Sequence, residues 1–290
     1  MTARKRGNSR PRVARAKKAS PAKAPSAGKP AKKDLTHDDI LLASTRIDPD
    51  LRRRSELLWD DRRQATRGPK AGVTPDDVVR AAVEIADANG LSAVTMSAVS
   101  AKLGFTTMAV YRYFPSKEAL YDAIVDAGLG HPPRFAEPRE DWRAEVTQVA
   151  LAKRAMLCAR PWLAELPFVA APHGPNWLRW LEAQTDSLSR TGLSAADVGQ
   201  MLSIVDGYTR GAADTAISVA RVRARGGSVE QWAAAVGADL GRAIGDPRFP
   251  AFATLLTTPT EGPSRTLDES FDFGLQRVLD GVALYVNASR

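Results

Sequence analysis

The sequence predicts an all-α protein in three parts: a disordered basic tail, a three-helix head built around a helix-turn-helix, and a larger helical body. Three observations carry this. Apolar residues recur at helical spacing from Thr74 almost to the C-terminus, and no stretch alternates as a strand would. Two short helical segments meet at Gly104 within "VSAKLGFTTMAVYRYFPSKEAL", Val99 to Leu120. The charge is segregated: of 41 Lys and Arg residues, 12 lie in the first 33 positions, where there is no Asp or Glu, leaving 29 basic against 33 acidic residues elsewhere. The formal net charge of +8 therefore belongs to the tail.

Residues 1–33 are rich in Lys, Arg, Ala, Pro and Ser, with no aromatic residue and Val13 as their one β-branched aliphatic. Such a segment cannot bury enough apolar surface to offset its ordering entropy, so disorder is expected. It is either a solubility tail or a nonspecific polyanion binder acting through counterion release. Residues 34–72 read as a linker with a short helix around Leu51–Gln64, where Leu57, Leu58 and Trp59 offer apolar contact. This segment is either a plain linker or an arm placed to reach a nucleic-acid groove.

The head spans residues 73–130. In "TPDDVVRAAVEIADANG", Thr74 is the N-cap and Pro75 takes the first helical position. Asp76 and Asp77 complement the helix dipole, and Gly90 closes the helix. Val79, Ala82, Val83 and Ala86 make the expected inward stripe. A second helix runs from Thr95 to Gly104 with Ala98, Val99 and Leu103 inward, and Gly104 allows the sharp turn. Phe105, Val110 and Phe114 anchor the third helix. Pro115-Ser116 stops it and caps a fourth, Lys117 to Leu129, whose apolar residues are Leu120, Ile124 and Val125.

The third helix carries polar chemistry where a surface helix usually carries Glu and Lys. The hydroxyls of Thr106 and Thr107 can bond bases or phosphates, and the phenols of Tyr111 and Tyr113 can reach phosphates. Arg112 can fork onto a guanine or a phosphate, and Lys117 adds charge beside backbone N–H groups that favour anions. Spacing alone would also permit an ordinary helical corner.

Residues 74–129 resemble the N-terminal DNA-binding domain of the TetR (tetracycline-repressor-like) family of transcriptional regulators. The resemblance lies in "G-L-x-x-V-T-M" leading into "L-G-F-T-T-M-A-V-Y-R-Y-F-P-S-K-E-A-L". It implies an all-helical homodimer, each protomer having a DNA-binding head, a fourth helix linking it to the body, and a C-terminal ligand-binding and dimerisation domain. By position it implies a recognition helix over Thr106–Tyr113, a phosphate-contacting tyrosine at Tyr111 and a capping lysine at Lys117. Base-reading positions fall at Thr107, Met108 and Arg112, with Ser97 on the preceding helix. The body is similar to the family's C-terminal domains more loosely, through "RPWLAELP" and "FDFGLQRVLDGVALYV". The N-terminal extension lies outside the family's usual pattern.

In the body, residues 131–290, helices are expected at Asp141–Cys158, Asn176–Arg190, Ala195–Arg223, Val229–Ile244 and Asp268–Val286, with a loop over Asp246–Arg265. The long helix carries Met201, Leu202, Val205, Tyr208, Ala212, Ile217 and Val219, plus small residues at Gly199, Gly207 and Gly211. The last helix carries Phe271, Leu275, Val278, Leu279 and Leu284. These two helices form either internal core or a four-helix dimer interface, and the resemblance favours the interface. A ligand pocket needs apolar walls and a few polar groups. Trp162, Phe168, Trp177, Trp180 and Tyr208 are candidate walls, with His173, Gln184, Asp206 and Arg210 as polar handles. The same aromatics would also serve as plain core. Cys158 fits a buried small apolar position, and His131 before Pro132-Pro133 marks the break between head and body.

One cysteine and three scattered histidines (His37, His131, His173) give no disulfide, no metal-ligand spacing and no catalytic Cys/His pair. No catalytic residue, metal or cofactor is expected. There is no apolar run long enough to span a membrane and no apolar segment after the basic N-terminus, so a reducing cytoplasm fits. The expected function is a ligand-responsive transcriptional repressor that binds a palindromic operator in double-stranded DNA as a homodimer and is released by a small apolar effector. The competing reading is a largely sequence-nonspecific DNA-compacting protein driven by the basic tail.

Overall fold

The computed structural model describes residues 48–59, 72–135, 141–165, 172–259 and 265–289; the basic tail, residues 34–47 and 60–71 of the linker, and Phe168 lie outside them. Among the described residues every regular element is helical. The linker contributes α1 (Pro49–Leu58), and the head contributes α2 (Pro75–Asn89), α3 (Met96–Leu103), α4 (Thr107–Tyr111) and α5 (Lys117–Leu129).

Local signals set the ends of the head helices. The Thr74 hydroxyl accepts from the Asp77 N–H at 3.1 Å while the Asp77 carboxylate accepts from the Thr74 N–H at 3.1 Å. This reciprocal capping box stabilises the start of α2 by about 1 kcal/mol. Thr95 and Ser116 accept from Ala98 N and Ala119 N to start α3 and α5. Gly104 ends α3 in the left-handed conformation at φ 72°, where a Cβ would be strained.

The inward stripe of α2 is Val78, Ala81, Ala82 and Ala86; Val79 and Val83 are only partly buried. Apolar side chains cover much of this helix, and the placement of α3 and α5 chooses the centre of the buried face. Val110 and Phe114 are fully buried and anchor α4, but Phe105 is exposed, because the turn after Gly104 runs over the surface before α4 begins.

The body contains α6 (Trp142–Ala159), a single 3-10 turn at Pro161–Leu163, α7 (Pro175–Ser189), the 30-residue α8 (Ala195–Ala224), α9 (Val229–Gly241), α10 (Pro250–Thr257) and α11 (Leu267–Ala288). Helix α10 falls where a loop was expected; Pro250 occupies its first turn, the one helical place that tolerates proline. One buried cluster joins α6, α7, α8 and α11 through Val146, Leu188, Val198, Val205, Leu275 and Leu279. The other fills the head and continues into the body through Leu157, Trp162, Leu163 and Ala213, so the core runs across the boundary at residues 130–131.

Helices α8 and α11 divide their faces. Leu202, Val205, Ile217, Phe271, Leu275 and Leu279 are buried within the protomer, so these expected interface residues are internal core. Among the described residues the opposite stripes stay open: Ile204, Phe273 and Leu284 are exposed, and a Cβ added at Gly199, Gly207, Gly211 or Gly281 would meet no described atom within 4 Å.

Candidate nucleic-acid interface and effector cavity

With Val110 turned into the core, the outer side of α4 presents Met108, Tyr111 and Arg112 at helical spacing. Met108 is 73% exposed and Tyr111 44%. Thr106 precedes the helix as an exposed N-cap whose side chain makes no capping hydrogen bond, while Thr107 is half-buried. Ser97 on α3 and Lys117 on α5 are exposed as well. The Lys117 ammonium lies 4.9 Å from the centroid of the Tyr121 ring, and Tyr121 raises its pKa, so the cation persists. Tyr121 is itself anchored by its hydroxyl, which reaches the carbonyls of Leu91 and Val94 at 3.1 and 3.2 Å.

Tyr113 has a different place from that expected of a phosphate contact. Its half-buried ring packs against the head core, and its hydroxyl donates to the Val73 carbonyl at 2.9 Å, tying the end of α4 to the start of α2. The same oxygen accepts from the Arg112 guanidinium at 2.6 Å. Arg112 is therefore held in a defined orientation on the surface by a side chain that is locked from beneath.

A second site lies where α5, α6, α7 and α8 converge. Leu129, Lys153, Met156, Leu157, Trp177, Trp180, Leu181, Asp206 and Arg210 line a cavity of about 40 Å³. Of the expected pocket residues, the structure brings together Trp177, Trp180, Asp206 and Arg210. His173 lies against Trp177, ring centroids 3.8 Å apart. Lys153 pairs with one Asp206 oxygen at 2.7 Å; the other is buried without a hydrogen-bond partner among the described residues. Gln184 sits one turn beyond Trp180 on α7, 1% exposed, with both amide atoms unpartnered among the described residues.

Trp162 and Tyr208 are elsewhere. The Trp162 indole is buried against Gly128 of α5 and donates to Asp87 of α2 at 2.8 Å, so it packs head to body. Tyr208 stacks on Phe271 and donates to its carbonyl at 2.8 Å, joining α8 to α11. Both have an N–H or O–H that demanded a partner, and the partner decided the place. Sequence reasoning missed the α6 wall, although Lys153, Met156 and Leu157 sit at the i, i+3, i+4 spacing of one helical face.

It also missed Asp126. This carboxylate on α5 is 8% exposed and accepts from the backbone N–H groups of Asn176 and Trp177, at 3.2 and 3.0 Å, at the start of α7. Burial pushes its pKa up, and the two N–H groups pull it back. Trp180 donates from its indole to the Leu129 carbonyl at 3.1 Å. A Cβ at Gly174 would overlap the Asp126 carboxylate, so this close approach requires glycine. The helix that carries the cavity's tryptophans is thus fastened at its N-terminus to the helix that carries the head.

Residues 78–124 match the family model of bacterial regulatory proteins, tetR family, and residues 133–286 match that of the tetracyclin repressor-like C-terminal domain. The chain is 35% identical over 251 residues to the HTH-type transcriptional repressor DrrR1 of Streptomyces coeruleorubidus, covering 83% of this chain and 88% of that one. It is 30% identical over 213 residues to the class A tetracycline repressor protein from transposon 1721 of Escherichia coli, covering 72% and 90%. Apo ActR of Streptomyces coelicolor has the same fold, with a TM-score of 0.61 at 22% identity, covering 76% of this chain and all of that one.

Proposed function

The chain belongs to the tetR family of bacterial regulatory proteins, and on that premise we propose that it is a ligand-responsive transcriptional repressor working through α3–α4 and the cavity at α7. The observation that carries the DNA reading is the outer face of α4, where Met108, Tyr111 and an oriented Arg112 stand in solvent beside Ser97, Thr106 and Lys117. Arg112 reads a base edge, while Tyr111 and Lys117 hold phosphates. Two copies pair through the open stripes of α8 and α11, and the homodimer binds a palindromic operator whose half-sites lie one helical turn apart.

The effector is small and largely apolar, seated against Trp177 and Trp180, with Lys153, Asp206 and Arg210 as its polar partners. A cavity of about 40 Å³ is far below the roughly 300–1,000 Å³ of a ligand pocket, so the effector must push α7 from its present position. Because α7 is bonded to Asp126, that displacement moves α5 and the head. By linkage, DNA weakens effector binding by the factor by which effector weakens DNA binding.

Selection of bound duplexes from a random pool tests the first half: a palindromic motif is expected, and enrichment of no sequence would leave a nonspecific binder. For the second half, operator titrations with a panel of apolar metabolites and drugs compare wild type with Trp177→Ala. The variant should bind operator normally and respond weakly; equal sensitivity in both would place the pocket elsewhere.

A further inference from the structure

Helix α1 lies in the extension ahead of the head and has no buried residue of its own. Ten residues is too short for a helix to persist alone in water, so its contacts hold it. Those contacts reach two parts of the molecule. Arg54 forks onto Asp122 of α5, Nε to Oδ2 at 2.6 Å and Nη2 to Oδ1 at 2.7 Å, with the side chains 16% and 4% exposed. Leu57 and Leu58 pack on the head core beside it. Trp59, just past the helix, donates from its indole to the His173 carbonyl at 3.1 Å, in the loop that leads into α7.

Asp122 and Asp126 stand one turn apart on α5. The first is held by α1 and the second by the opening N–H groups of α7. The α1–α5 and α5–α7 bonds, with the Trp59–His173 bond between the residue after α1 and the loop before α7, therefore close a triangle around the helix that carries the head. A bidentate guanidinium–carboxylate pair fixes an orientation as well as a distance, and releasing this one would leave the buried Asp122 carboxylate without its partner.

We propose that α1 is a positioning strut: Arg54 and Trp59 together set the angle of α5 against α7, and so the presentation of α4. Without the strut, α5 is held to α7 at its C-terminal end alone and the head samples a wider range of angles. Its effect on DNA rests on the reading of α4 given above; its effect on geometry does not.

The test uses the full chain with Cys158→Ser, spin-labelled at Met108→Cys on the head and Glu182→Cys on α7, both exposed, and diluted into unlabelled chain so that distances within one protomer are read. The strut predicts a shifted or broadened distance distribution for Arg54→Ala. A smaller broadening is expected for Trp59→Phe, which removes one N–H from an exposed ring and leaves the fold intact. The exchange Arg54→Asp with Asp122→Arg should return the distribution toward that of the parent. In the unlabelled protein, Arg54→Ala should also lose at least fivefold in affinity for a duplex that the wild type selects from a random pool. Unchanged distributions in both Arg54→Ala and Trp59→Phe would overturn the strut. A shifted distribution with no duplex selected by the wild type would uphold it and sink the DNA reading instead.

Discussion

Ser97, Met108, Tyr111 and Lys117, against Asp122, Asp126, Gly128 and Leu129, belong to one small domain but are treated in opposite ways. The first set stands in solvent. In the second, Asp122 is forked by Arg54, Asp126 accepts two N–H groups of α7, the Gly128 carbonyl accepts from Arg160 at 2.8 Å, and the Leu129 carbonyl accepts from Trp180. A surface that meets its partner from outside keeps its donors ready and its side chains replaceable. A surface packed between head and body pairs its polar groups at fixed distances.

Substitutions at the two faces should therefore fail differently. The largest effect is expected at Trp162→Ala, which removes a buried indole and leaves Asp87 without that donor; it should lower unfolding free energy by about 3–5 kcal/mol in denaturant melts. A loss below about 1 kcal/mol would mean that the head folds without leaning on the body. Next is Arg112→Ala on the open face. Stability should hold, while discrimination at one base pair of the selected motif drops by about 1–3 kcal/mol, read by titrating single-base variants. A uniform loss over all sequences would make Arg112 a phosphate contact.

Asp126→Asn should cost about 1–2 kcal/mol, since one of the two N–H groups of α7 then faces an amide donor. Its pH dependence carries a sign. Asp126 binds its proton more tightly folded than unfolded, where it titrates near the ordinary 3.8. Protonation therefore favours the folded state. The wild type should gain on Asp126→Asn as pH falls through the folded value toward 3.8, and lose that gain as pH rises back through it. Urea melts of both proteins over about pH 4–7 measure the gap; a constant gap would show that burial leaves this carboxylate unperturbed. Met108→Ala, like Arg112→Ala, should leave stability nearly unchanged, within about 0.5 kcal/mol because the side chain is 73% exposed; any larger change would mean that Met108 supports the head's packing.

Which parts of this were legible in the amino-acid order follows from the range of the forces involved. Thr74, Thr95, Ser116 and Gly104 mark helix ends through bonds or backbone angles spanning three or four residues, and the described ends match those signals within a residue. The open face of α4 was legible for the same reason, since five consecutive helical residues with Val110 inward leave little choice for the rest. The expected loop over Asp246–Arg265 missed α10, which Pro250 opens from its first turn.

Which side of each long helix is buried, and which aromatics share a cavity, depended on partners far along the chain. Arg54 and Asp122 are 68 positions apart, Trp162 and Asp87 are 75, and Trp59 and His173 are 114. Periodicity reports that an apolar stripe exists, without naming what will cover it, so Tyr208 and Trp162 looked as much like pocket walls as Trp177 did. Packing separated them: buried N–H and O–H groups must be paired, and only the assembled core shows which acceptor lies within reach. Local hydrogen bonds thus decided where helices begin and end, and burial with its obligatory polar pairing decided how the head is joined to the body.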